Sequence, residues 1–179
     1  MENLTQNDFK DVLNKIKNAR QKAYAQVNAT LLQLYWDIGK YISFKVREEK
    51  WGKGVVIELA NFIKDNAPEI KGFADKNLWR MKQFFETYSE NEKLATLWRQ
   101  LSWSHNRAIM TLKSTEEREF YLRLCAREKY SVRELERQIN SSTFERMTLA
   151  DKKLSPVVRE LPQHTDHIFK DSYVLNFRG

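Results

Sequence analysis

The chain has 179 residues, 41% of them hydrophobic, with 5 Gly, 3 Pro and a single cysteine, Cys125. That length and apolar content suit a buried core and exclude a wholly disordered chain; the scarcity of Gly and Pro disfavours a turn-rich β-sandwich or barrel; one cysteine excludes an intramolecular disulfide and a Cys-based zinc site. Lys plus Arg number 31 against 24 Asp plus Glu, a formal net charge of +7, which permits binding to a polyanion without requiring it.

In chain order, Phe9, Val12, Leu13, Ile16, Ala19, Ala23 and Val27 recur at three- and four-residue steps and predict a helix over residues 4–26. Leu31, Leu34, Tyr35, Ile38, Ile42 and Val46 predict a second over 31–49, and the two could pair as a helical hairpin that supplies an interface. Gly52 and Gly54 break the pattern. Val55, Val56, Leu59, Ala60 and Ile63 predict a helix over 55–65, followed by a connector from Asn66 to Phe73 in which Pro68 disfavours helical geometry at Ala67. Leu78, Met81, Phe85 and Tyr88 form the apolar stripe of a helix over 75–88. A short helix fits Glu92–Trp98, and Ser102 or Ser104 can cap one over 105–112. Ser114 with Glu117 and Ser131 with Glu134 match capping boxes that open helices over 115–128 and 132–140.

Beyond Leu149 the periodicity fades into a linker holding Pro156 and Pro162, with a short strand expected over Ser172–Phe177. The expected fold class is therefore all-α: a multi-helix domain over 1–148 that contains a helix-turn-helix-like unit, then a linker over 149–179. Trp36, Ile38, Leu59, Met81, Phe85, Phe120, Leu124 and Leu135 are the expected core. No apolar run approaches the roughly 20 residues of a membrane span, and the polar N-terminus is not a secretory signal. A cytoplasmic location without membrane partners is the expectation.

Little in the chain points to catalysis. His164 and His167 are spaced as helix-borne metal ligands could be, but they lie in the Pro-bounded polar linker beside Asp166. Ser104 and His105 are adjacent, which suits a helix cap better than a nucleophile and base. Gly52 and Gly54 lack the surroundings of a phosphate loop. Most carboxylates interleave with Lys and Arg at helical spacing, as on solvated helix faces. No catalytic residue, metal or cofactor is expected.

Polyanion binding has more support. On the helix over 75–88, Lys76, Arg80, Gln83 and Thr87 lie opposite the apolar stripe, with Trp79 near them. A basic-amide face suits phosphate contact and base-edge readout. The connector adds Lys71, and the run from Lys93 to Lys113 carries Arg99 and Arg107 but no acidic residue. Lys71, Lys76, Trp79, Arg80, Gln83 and Arg107 are the candidate nucleic-acid-binding residues, duplex DNA being the leading partner; a basic helix with aromatics suits RNA as well. The helices over 55–65 and 75–88 read as helix-turn-helix-like, although the connector exceeds the usual three or four residues. The competing reading is a protein-interaction or homodimerisation scaffold, in which Lys76, Trp79 and Arg80 could be packed rather than exposed.

A resemblance sharpens this. Asn28, Leu34-Tyr35-Trp36, Ile38-Gly39, Trp51-Gly52, Pro68, Gly72-Phe73, Asn77-Leu78, Met81, Leu101-Ser102-Trp103-Ser104-His105, Arg118-Glu119-Phe120-Tyr121, Ser131 through Ile139, and Asp171 with Tyr173-Val174-Leu175 occur in order. Across residues 20–177 the chain resembles the N-terminal domain of the YhcG-type putative nuclease family. The resemblance implies a helix-turn-helix-related module that precedes a PD-(D/E)XK-type nuclease domain, whose catalytic carboxylates and lysine have no counterpart here. The nuclease domain would begin where the chain stops, so any nuclease activity is expected to reside outside it, in that C-terminal domain or a partner protein. Relatives usually carry Ser where this chain has Ala74; Asp75 is a substitute cap one residue later. Leu101-Ser102 with His105, Arg107 and Ala108, then Ser131-Val132-Arg133-Glu134 and Glu136, is also similar to the central DNA-binding domain of ParB-type partition proteins, over residues 55–140.

Overall fold

The computed structural model describes residues 2–149. Eight helices run in order: α1 (Glu2–Glu48), α2 (Lys53–Asn66), α3 (Asp75–Tyr88), a 3-10 turn (Glu92–Leu94), α4 (Ala95–Trp98), α5 (Trp103–Ile109), α6 (Thr115–Glu128) and α7 (Val132–Asn140). Residues 143–149 are helical as well, and no strand occurs among the described residues. The strand expected at 172–177, the linker prolines and the His164/His167 pair lie outside them. The chain divides into two compact units, residues 1–136 and 137–179.

The first unit departs from expectation at its start. The two helices expected over 4–26 and 31–49 are one 47-residue helix, so there is no hairpin. Residues 27–30 (Val-Asn-Ala-Thr) contain neither Gly nor Pro, and nothing interrupts the hydrogen-bond ladder there. The apparent break between two stripes is a change of helix face. α1 ends where Lys50 adopts a left-handed conformation, φ 55°.

The core forms where the second half of α1 crosses α3. Tyr35 and Ile42 of α1, Val56 of α2, and Leu78 and Met81 of α3 are its buried centre, with Ile38, Leu59 and Phe73 packed around it. Gly39 makes the crossing close: a Cβ there would lie 2.0 Å from the Met81 carbonyl oxygen. An aromatic cluster extends the core toward α4 and α5. Trp36 stacks on Trp98 at 5.4 Å between centroids, and Phe84 meets Trp36, Tyr88, Trp98 and Trp103 edge-on. Of the expected core, Met81, Leu124 and Leu135 are buried, whereas Trp36, Ile38, Leu59, Phe85 and Phe120 are only half-buried. On α3 the enclosed ring is Phe84, not Phe85. Two sides of α3 are covered, one by α1 and one by α5, so its buried arc centres on Met81, Phe84 and Tyr88.

Caps set the remaining helix starts. Ser102 caps α5, accepting from the His105 backbone N–H, so that helix begins at Trp103 rather than 105. Ser114 accepts from the Glu117 N–H at 3.0 Å and Ser131 from that of Glu134 at 3.2 Å, opening α6 and α7 at the expected residues. Lys129, with φ 55°, terminates α6 in the left-handed region. Asn28 reaches from α1 to the 99–101 segment, donating to the carbonyls of Leu101 (2.8 Å) and Arg99 (3.3 Å).

In the second unit, Thr143 donates to the Gln138 side-chain oxygen at 2.7 Å and accepts from Arg146 at 3.0 Å. Gln138 and Thr143 are both buried, so this polar pair is satisfied inside its own unit.

Candidate nucleic-acid interface

The candidate surface belongs to α3, which α1, α2, α5 and the connector hold in place. α1 covers one side through the Gly39–Met81 approach, and Ser43 of α1 donates to Glu86 at 2.8 Å. α5 covers another: the Trp103 indole N–H donates to the Asn77 side-chain oxygen at 3.0 Å. The connector closes the N-terminal end. Gly72 sits at φ +98°, a conformation suited to glycine, and its carbonyl accepts from Asn77 Nδ2 at 2.5 Å. Asn77 thus brackets connector, α3 and α5.

Ala74 occupies the N-cap position of α3 with no side-chain cap. Asp75 does not substitute: it lies inside the first helical turn, where its charge is favourable toward the helix dipole. The Asn77 and Leu78 N–H groups bond to the Ala74 carbonyl, so this end is closed by backbone bonds together with the Asn77 side chain on Gly72.

Lys76 and Gln83 are exposed, and Arg80 and Thr87 are half-buried. At 100° per residue these four fall within about 60° of one another, and the buried arc of Leu78, Met81, Phe84 and Tyr88 begins beside Arg80 with Phe84. Glu86, the acidic residue nearest that face, is engaged by Lys82 at 2.7 Å and by Ser43. Lys71 is exposed, with its ammonium on the Pro68 carbonyl at 2.5 Å.

Trp79 and Arg107 stand less free. Trp79 is half-buried, packs against the core centre, and has the Lys82 ammonium 5.8 Å from its ring. On the helical wheel it flanks the face beside Gln83. Arg107 is half-buried on α5, one helical turn after Trp103, and its Nε is buried without a hydrogen-bond partner among the described residues. Of the acid-free run, Lys93, Arg99 and Lys113 are exposed; Arg99 donates to Gln33 at 2.9 Å and lies 4.8 Å over the Trp98 ring. The part played by Asn77 escaped the sequence reading. Its place two residues into a helix whose cap position holds Ala74 is the signal that could have found it.

His105 is structural. Its Nε2 donates to the Tyr130 carbonyl at 2.9 Å, which leaves Nδ1 to accept from the Ser102 hydroxyl at 2.7 Å. Both ring nitrogens are thereby occupied in joining α5 to the segment after α6. Burial pushes the Cys125 thiol up to about 11, so it is a neutral core group. No group of three or more His, Cys, Asp or Glu side chains is arranged for a metal ion among the described residues, and no helix there is long and apolar enough to cross a membrane. A groove of about 320 Å³ between α2 and the connector is lined mainly by apolar side chains, including Ile57, Ile63, Ile70 and Phe73. It brings together no set of groups suited to acid–base or nucleophilic chemistry.

Residues 11–146 match a family described as the DUF1016 N-terminal domain. The chain is also similar to the Escherichia coli (strain K12) protein named "Putative nuclease YhcG": 26% identical over 205 aligned residues, covering 93% of this chain and 54% of that protein. It therefore spans about half the length of the curated relative it matches. No solved structure matches it.

Proposed function

The chain belongs to the DUF1016 N-terminal domain family, and from that premise we propose that it is a DNA-binding module that positions a nuclease domain or nuclease partner on duplex DNA. Within this reading α2 and α3 act as a helix-turn-helix-like pair, with α3 as the helix presented to the groove. The eight-residue connector over 67–74 lets α2 brace α3 at its own angle. Nuclease chemistry, which the name of the Escherichia coli relative suggests, lies outside residues 1–149.

The observation that carries the reading is the exposed basic-amide face of α3. Lys76 and Gln83 are exposed on a helix otherwise held by α1, α2, α5 and the connector, with Arg80 beside them and Lys71 just upstream. A rigid helix with long donor side chains on its free face can contact phosphates and read base edges at once. Arg107 would extend the positive surface from α5. Trp79 flanks the face beside Gln83.

Fluorescence anisotropy on a labelled duplex across salt concentrations tests this. Affinity should fall as salt rises through counterion release. Lys76→Ala should weaken all duplexes alike and reduce the log–log salt slope by about one unit. Arg80→Ala should weaken the preferred sequence by about 1–3 kcal/mol more than random DNA. Unchanged binding in both variants removes α3 as the DNA surface.

A further inference from the structure

Every residue from Gln6 to Val27 of α1 is exposed. Among them Phe9 is 68% exposed, Val12 55%, Leu13 48% and Ile16 52%. These side chains share one stripe with Ala19 and Ala23. A continuous apolar stripe along such an exposed arm is a contact surface.

The charges along the arm say what covers it. Asp8 and Asp11, with Lys10 between them, sit in its first part and leave it a net negative charge; Lys15, Lys17, Arg20 and Lys22 follow with no acidic residue among them. Two such arms side by side in parallel would set like charges against each other. Reversed, they place the acidic start of each against the basic stretch of the other. With Phe9, Ile16 and Ala23 as heptad a positions and Val12 and Ala19 as d positions, Asp8, Lys15 and Lys22 fall on the flanking g positions. The antiparallel register that faces Asp8 with Lys22 also sets Phe9 against Ala19, Val12 against Ile16, and Leu13 against its own copy. The largest side chain, Phe9, then meets Ala19, while Val12–Ile16 and Leu13 with its own copy fill the middle of the seam. Sliding by one heptad one way sets Lys15 against Lys22; sliding the other way faces Asp8 with Lys15 but leaves Ile16 and Ala19 opposite polar residues.

We infer that α1 pairs with α1 of a second copy of this chain as an antiparallel two-helix seam over residues 6–23, closed by two symmetric Asp8–Lys22 contacts. The arrangement is isologous and ends at a dimer. Its seam is about 27 Å long at the helical rise. The two Lys15 side chains meet near the symmetry axis and are the one unfavourable contact.

Sedimentation equilibrium of the full chain tests the seam. The wild type should be dimeric. Ile16→Lys should be monomeric, with thermal unfolding matching that of dilute, monomeric wild type because Ile16 lies outside the core. Asp8→Lys and Lys22→Asp should each raise the dimer dissociation constant roughly tenfold, two contacts being lost by symmetry. The double variant Asp8→Lys/Lys22→Asp should return it close to wild type, and Lys15→Gln should lower it. A monomeric wild type would overturn the inference. In that case, binding of the arm to vesicles containing phosphatidylserine would assign it to a membrane surface, and loss of its exposure to residues 150–179 would assign it to the same chain. A dimer indifferent to Ile16→Lys, or a charge swap that fails to restore affinity, would equally overturn it.

Discussion

α1 carries two apolar stripes about 100° apart at 100° per residue, and they meet different fates. Leu32, Tyr35 and Ile42 face α3 and are buried. Phe9, Val12, Leu13 and Ile16 are exposed, and Leu31, Leu34 and Tyr41 prolong that second stripe along the side turned away from α3. Both stripes have the same period and comparable residues. Periodicity therefore identifies a face that seeks cover without identifying what covers it. On the core-bound half, Gly39 lets α3 approach one face closely; residues 6–27 are exposed all round.

Substitutions can sharpen or break that contrast. The largest effect should come from the covered side. Phe84 is fully buried among Trp36, Tyr88, Trp98 and Trp103, and Phe84→Ala should cost about 3–5 kcal/mol in urea unfolding. A loss below about 1 kcal/mol would show that the aromatic cluster is not what secures α3. Gly39→Ala comes next: despite the better helix propensity of Ala, its Cβ meets the Met81 carbonyl, and a net loss of about 1–3 kcal/mol is expected. A stabilised Gly39→Ala protein would mean that α1 and α3 sit farther apart.

Asn28→Ala removes two bonds to the carbonyls of Arg99 and Leu101 and should cost about 1–2 kcal/mol. Cys125 supplies a pH test. Its thiol ordinarily titrates at 9.0 and burial raises it to about 11, so the unfolded chain ionises first. The stability it contributes is complete below about pH 9 and is lost as pH rises from about 9 to 11. Wild type should accordingly lose more stability over that window than Cys125→Ala, because burial of Tyr88 and Tyr35, which also raises their values, is common to both. Equal slopes would place the thiol in contact with water. Smallest of all, Ile16→Ala should change unfolding of dilute, monomeric protein by no more than about 0.5 kcal/mol. A larger loss would mean the exposed stripe is covered within the chain.

Much of the helical skeleton was legible beforehand, for identifiable reasons. Ser114 and Ser131 announce α6 and α7 because a serine before a helical run supplies an acceptor for an otherwise unpaired N–H. α3 was legible from end to end. The continuity of α1 was not, since a change of face inside one helix looks like a boundary when only apolar spacing is followed. The enclosure of Phe84 rather than Phe85 was equally hidden: a wheel gives one helix's preferred face, whereas α1 and α5 together determine how far round α3 the cover extends. On the candidate surface, the exposure of Lys76 and Gln83 followed from their place on the α3 wheel, and that of Lys71 from its place in the connector. The partial burial of Trp79, Arg80 and Arg107 depends on neighbouring helices that no local pattern specifies.

An unbroken α1 also behaves as a shaft under torsion. Its exposed arm and its core-bound half are one rigid rod through residues 27–30, without a glycine or proline to absorb rotation. Each residue inserted there turns the arm by about 100° and lengthens the shaft by about 1.5 Å. Two inserted alanines would swing the outer stripe past half a turn relative to the domain, while seven would bring it back to within about 20° and carry it roughly 10 Å outward. Angular phase and reach can therefore be set separately along this one helix, so that the orientation of whatever grips the arm is geared directly to the orientation of α3.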